Sequence, residues 1–178
     1  GNGYWLKFAS AQSVSLTGTP INSDTVDLNK GWNLIGSVTN PVSTSNIVTV
    51  PSGLIGSQYF EFSGSWQSTN IISPGKGYFV KVSGACKLIY PPAIALPKTQ
   101  EGPILPQVPT NVDRITFMDR EGNRQILYRG TTNMDNGLLM AYELPPKPPL
   151  GIFDIRFDNQ STLSADHQQY VHVEVQAA

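Results

Sequence analysis

The chain has 178 residues, room for one ordinary domain or two small ones of roughly 70 to 100 residues each. Only 14% of them are charged and the net charge is -1, so there is no basic surface to neutralise a row of phosphates, and nucleic acid is excluded as a partner class. Hydrophobic residues reach 39%, too many for a disordered chain, yet no apolar run approaches the roughly 18 residues of a membrane-spanning helix.

The 16 Gly and 14 Pro, with few strong helix formers, predict an all-β fold. The start, Gly1-Asn2-Gly3-Tyr4-Trp5, has neither a charged leader nor an apolar segment, which reads as a mature product or an excised piece. It also opens an internal repeat. Gly1-Asn2-Gly3-Tyr4-Trp5-Leu6-Lys7-Phe8 returns 74 residues later as Gly75-Lys76-Gly77-Tyr78-Phe79-Val80-Lys81-Val82. Glycines at the first and third positions allow a turn or a close backbone approach, and the aromatic pair then opens a strand. Val14-Ser15-Leu16 parallels Leu88-Ile89-Tyr90, so residues 1–18 read as the closing hairpin of a partial repeat.

Residues 19–90 read as a first β module with strands at Thr25 to Leu28, Trp32 to Ser37, Gln58 to Phe62, Trp66 to Ser68 and through the second motif copy. Reversals are predicted at Lys30-Gly31, Ser63-Gly64, Ser73-Pro74-Gly75 and Ser83-Gly84, and a helical turn or irregular excursion between Ser43 and Ile55. Trp32, Leu34, Tyr78 and Val80 are the expected core, and Cys86, the one cysteine, is expected to be a small buried apolar residue. Six prolines between Pro91 and Pro109 make residues 91–110 a semi-rigid linker; the alternative is that Ile94, Leu96, Ile104 and Leu105 pack the segment down as an edge.

Residues 91–178 carry 17 of the 25 charges and all five arginines, and within them residues 111–178 read as a second β-sandwich-like module. Val112 to Met118 and Arg124 to Arg129 predict a hairpin, and Tyr142 to Pro149 a polyproline-like crossing. In Gly151 to Phe157, alternation sets Phe153, Ile155 and Phe157 on a core face and Ile152, Asp154 and Arg156 on a solvent face. Val171, Val173 and Val175 alternate in the same way.

No catalytic, cofactor-binding or metal-ligating residue stands out. His167 and His172, five apart, lack the spacing of a helical metal pair, and Asp154, Asp158, Asn159 and Asp166 lack a calcium-loop pattern. Gly75-Lys76-Gly77 leads into a strand rather than a helix, so it is a turn and not a phosphate loop; nothing pairs Glu61 with Glu143. Tyr59, Trp66, Tyr78 and Phe79 are candidates for stacking on sugar rings, with core positions as the alternative, and Asn159-Gln160-Ser161 matches a glycosylation acceptor at Asn159.

Gly31-Trp32-Asn33-Leu34-Ile35-Gly36 followed by Pro74-Gly75-Lys76-Gly77-Tyr78-Phe79-Val80-Lys81 resembles a repeat of large secreted proteins of the Bacteroidota and Ignavibacteria. Tyr142-Glu143-Leu144-Pro145-Pro146-Lys147-Pro148-Pro149 and Gly151-Ile152-Phe153-Asp154-Ile155-Arg156-Phe157 look similar to a stretch near the ends of such proteins. The resemblance implies export, commonly by type IX secretion, and a non-catalytic place outside the cell or on its surface.

The leading expectation is therefore an extracellular structural or adhesive β module that assembles with itself by strand addition. Its candidate assembly strand carries Tyr4, Trp5, Leu6, Phe8, Val14 and Leu16, whose apolar side chains would be exposed alone. Folding back onto the same chain is the competing fate of that segment. The alternative function is a carbohydrate-binding accessory region of a secreted hydrolase, with polysaccharide as partner; an enzyme in its own right is the least favoured.

Overall fold

The structure is a computed structural model that describes residues 2–6, 8–10, 12–15, 17–92, 110–130, 136–165 and 171–176. It is mostly β, as the composition predicts, with 44% strand, one short helix and several small antiparallel sheets. In the first half, β1 (Asp24–Leu28), β2 (Gly31–Ile35), β3 (Val42–Ser43), β4 (Val48–Val50), β5 (Tyr59–Phe62), β6 (Trp66–Thr69), β7 (Ile71–Ile72), β8 (Tyr78–Val82) and β9 (Cys86–Tyr90) follow in order. One sheet runs β2-β8-β5-β6, a second runs β1-β9-β4, and β3 pairs with β7. Strict alternation sends Tyr78, Val80 and Val82 from β8 and Cys86, Leu88 and Tyr90 from β9 into one core, which Val26, Leu28, Ile35 and Tyr59 complete. Burial pushes the Cys86 thiol up from its ordinary value, as expected of a packing residue.

The excursion predicted between Ser43 and Ile55 contains a single 3-10 turn, Thr44–Asn46, bracketed by β3 and β4. Val42, Ile47 and Thr49 point inward there. The predicted reversal at Ser63-Gly64 is a turn in which Gly64 has φ 74 and a Cβ would collide with the Asn123 side chain, so only glycine fits. Asn123 lies in the turn of the second-half hairpin, which places the tips of the two hairpins against each other.

That second half has β10 (Val112–Met118), β11 (Arg124–Gly130), the helix α1 (Asn136–Ala141), β12 (Asp154–Phe157), β13 (Leu163–Ser164) and β14 (Val173–Gln176). β10 and β11 form the expected antiparallel hairpin, β13 joins β11 in parallel, and β12 pairs with β14. Leu127, Phe153, Ile155 and Phe157 are its core, with Phe117, Val171 and Val173 packed against it. Residues 93–109, including most of the proposed linker and the four apolar residues of its alternative, lie outside the described residues.

Among the described residues of 1–18, Asn2 makes a single bridge to Ile35 on the outer edge of β2 and no strand follows it. Three expectations are corrected. Trp32 and Leu34 do not join Tyr78 and Val80: they sit half-buried on the opposite face of the sheet, since Leu34 pairs with Phe79 and side chains in register share a face. Asp154 and Arg156 are not on a solvent face. All four residues of β12 are buried, because the two charges pair with each other beneath the first half. Val175, expected to be in phase with the core, is exposed beyond the edge of the packed region.

Candidate functional site

The outer face of the β2-β8-β5-β6 sheet is the most apolar surface that its own module cannot bury. Alternation brings Trp32 and Leu34, Phe79, Phe60 and Phe62, and Trp66 to that face. The rings meet edge to face: Trp32 with Phe60 at 5.8 Å, Phe62 with Trp66 at 5.1 Å, and Trp66 with Phe79 at 5.4 Å. Two other parts of the chain cover it.

The N-terminal segment covers one end. Gly3 donates its N–H to Leu34 O at 3.1 Å, and a Cβ on Gly3 would stand 2.7 Å from Ile35 O. Gly77, the matching glycine of the second motif copy, lies beside the same carbonyl with Gly3 Cα within 4.0 Å of where its own Cβ would be. The third glycine of both copies is thus a close-approach residue, and the two pack together. Beyond them, Trp5 crosses to Phe62 at 5.6 Å and Trp66 at 6.0 Å.

The second half covers the other end. Leu144 from the proline-rich crossing packs among Phe60, Trp66 and Phe79. Trp66 Nε1 donates to Asp154 Oδ2 at 3.0 Å, a bond between residues 88 apart in sequence. Arg156 grips the same carboxylate from the opposite side, Nε to Oδ1 at 2.6 Å and Nη2 to Oδ2 at 2.7 Å, with Nη1 donating to Pro145 O at 2.7 Å and Gln160 Oε1 at 3.2 Å. Side-chain exposures of 0% for Arg156 and 3% for Asp154 make this a buried ion pair with nearly every donor satisfied. At its margin Lys81 Nζ donates to both Glu143 oxygens at 2.7 Å.

Between the two halves remains a cleft of about 270 Å³. Phe60, Trp66 and Ser68 line it from the first sheet, and Tyr128, Tyr142 and Leu144 from the second half, with Gln67 and Arg124 at the exposed rim. Tyr128 and Tyr142 meet edge to face at 5.6 Å. Burial, helped by Tyr128, holds the Tyr142 hydroxyl above its ordinary pKa.

The sequence candidates fall as follows. Tyr4, Trp5, Leu6, Phe8 and Val14 are exposed, Trp5 least of them at 38% with its ring against Phe62 and Trp66, and Leu16 lies outside the described residues. Tyr59 and Tyr78 are buried in the first core and offer no ring face to a sugar; Trp66 lines the cleft but is buried under Trp5 and the second half. Asn159 is exposed, but its amide is held in the turn, donating to Leu163 O at 3.3 Å and accepting from Ser161 N at 3.2 Å, while the Ser161 hydroxyl is buried on Tyr142 O. Glu61 and Glu143 are not brought together as a pair: Glu61 binds Lys76, whose ammonium it holds above its ordinary pKa, and Glu143 binds Lys81. Asp154 serves the ion pair, His172 is exposed, and His167 and Asp166 lie outside the described residues. Among the described residues no group of three or more His, Cys, Asp or Glu is placed to hold a metal ion, and no helix is long and apolar enough to cross a membrane.

The sequence reading missed Tyr128, Tyr142, Ser68 and Arg124, which meet only across the interface of the halves; the aromatic pair Tyr128 and Tyr142 was the only local signal. The chain matches no protein-family model, no curated protein and no solved structure.

Proposed function

We propose that this chain is a non-catalytic structural or adhesive β module of the extracellular space or cell surface, which assembles with further copies of itself by strand addition. The location rests on the resemblance to secreted repeat proteins; the assembly rests on one comparison within the molecule. In the second motif copy, Tyr78, Val80 and Val82 are core residues at 0%, 0% and 1% exposure. Their counterparts in the first copy, Tyr4, Leu6 and Phe8, are 81%, 73% and 43% exposed. A segment with the sequence of a central strand therefore has in water the side chains that its counterpart buries, a surface that favours a partner.

β2 is an edge strand, and Asn2 already bridges Ile35 on its outer edge. Continuing that register sets Tyr4 opposite Asn33 and Leu6 opposite Gly31, on the side from which Ile35 enters the core. The free edge of β2 in a neighbouring molecule is thus a complementary receptor, supplying main-chain hydrogen bonds and an apolar flank. A contact of this heterologous kind propagates into a filament unless its rotation closes a ring. Light scattering tests the reading. The intact chain is expected to grow in mass with concentration, and a chain lacking residues 1–18 to stay monomeric; an intact chain that is monomeric at its highest soluble concentration refutes assembly.

A further inference from the structure

We propose that the cleft between the two halves binds one ring of an acidic sugar, as part of a uronic-acid-containing glycan. The inference is independent of assembly, since none of the N-terminal residues lines the cleft. Its volume, about 270 Å³, lies just under the roughly 300 Å³ at which pockets for drug-sized molecules begin, which limits the occupant to about one ring with its substituents.

Three features select the chemistry. The walls are aromatic: Tyr128, half-buried, is the ring suited to the C–H face of a pyranose, and Phe60 and Tyr142 add apolar margins as buried residues. Gln67 and Gln125 add neutral amides that donate and accept, as sugar hydroxyls require. A purely apolar acid would leave these groups unmatched. The charge selection comes from Arg124. It lies at the rim, makes none of the salt bridges or side-chain hydrogen bonds of the described residues, and faces a lining without an Asp or Glu. A planar guanidinium in that position takes a carboxylate in a bidentate grip and repels cations.

The experiment uses the full chain and trisaccharides of galacturonate, glucuronate and mannuronate, each beside its uncharged hexose counterpart, with phenylacetate as an apolar acid. Calorimetric titration is expected to show at least one uronate trimer binding about tenfold or more tightly than its neutral counterpart and than phenylacetate. Arg124→Gln is expected to remove most of that difference while leaving the thermal midpoint unchanged, because the side chain has no structural partner. Absence of uronate binding, equal binding of the uncharged trimers, tighter binding of phenylacetate, or an unaltered affinity in Arg124→Gln each overturns the proposal.

Discussion

Replacing Arg156 with Met removes a guanidinium that is wholly buried and makes four hydrogen bonds, two of them to Asp154. The methionine fills much of the same space, so the cost is chiefly electrostatic. Asp154 keeps only the Trp66 N–H as donor, and its carboxylate is left in a region closed to water. Breaking a buried pair from one side costs about 3 to 5 kcal/mol, a large part of the roughly 5 to 15 kcal/mol by which domains are stable. Asp154→Leu together with Arg156→Met should recover most of that loss, since an apolar replacement of both partners is often neutral; what remains is the Trp66 N–H without an acceptor, about 1 to 3 kcal/mol. Equilibrium denaturation followed by circular dichroism measures both. Because Trp66 belongs to one half and Asp154 to the other, the loss should lower a single transition. An Arg156→Met chain within about 1 kcal/mol of the parent, or two transitions of which only one moves, refutes the interface as described.

Tyr59 is buried with a hydroxyl that has no hydrogen-bond partner, so Tyr59→Phe is expected to raise stability by about 1 kcal/mol in the same assay, and a loss would show that the hydroxyl is bonded. Burial raises the pKa of both Tyr59 and Tyr90 far above the ordinary 10.0; the unfolded chain then releases those protons first, and stability is expected to fall as pH rises above 10, with tyrosinate absorbance appearing together with unfolding. The Lys147 ammonium, then the Gln160 amide, hold Glu174 below its ordinary 4.5, so its contribution is present above that value and lost as acid protonates it; carbon-detected titration should find the depressed value, and Lys147→Gln should move it back up.

Much of the fold was legible because its strands are long enough to show a period. Tyr78, Val80 and Val82, and Cys86, Leu88 and Tyr90, alternate over five residues each, and the glycine turns mark where those runs reverse. β3 and β7 are two residues each, below the length at which any period exists, and their pairing of Val42 with Ile72 is fixed by the strands on either side. β12 was legible as a strand but not in its burial. Asp154 and Arg156 look solvated to any reading of hydropathy; they are buried because they neutralise one another and because Trp66, 88 residues away, supplies another donor. The cleft was illegible for the same reason, being assembled from residues 58–68 and 124–162 with no local pattern linking them.

The two motif copies show what sequence determines and what it leaves to context. Tyr78 and Tyr4 head the same run, and their glycines lie side by side against Ile35, yet one tyrosine is fully buried and the other almost fully exposed. Strand propensity and alternation are equal in the two, so the difference lies in the neighbours. β8 has β2 on one side and β5 on the other, while the first copy has one bridge and then leaves the edge. Past that bridge the ring of Trp5 meets Phe62 and Trp66 on the outer face. Phe79, the residue that corresponds to Trp5, occupies the same aromatic face from within the sheet. The outward-pointing member of the motif is therefore satisfied in both copies, and only the inward-pointing members differ. An edge that supplied the missing main-chain partners would bury Tyr4 and Leu6 by adding a strand, without requiring either half of the molecule to unfold.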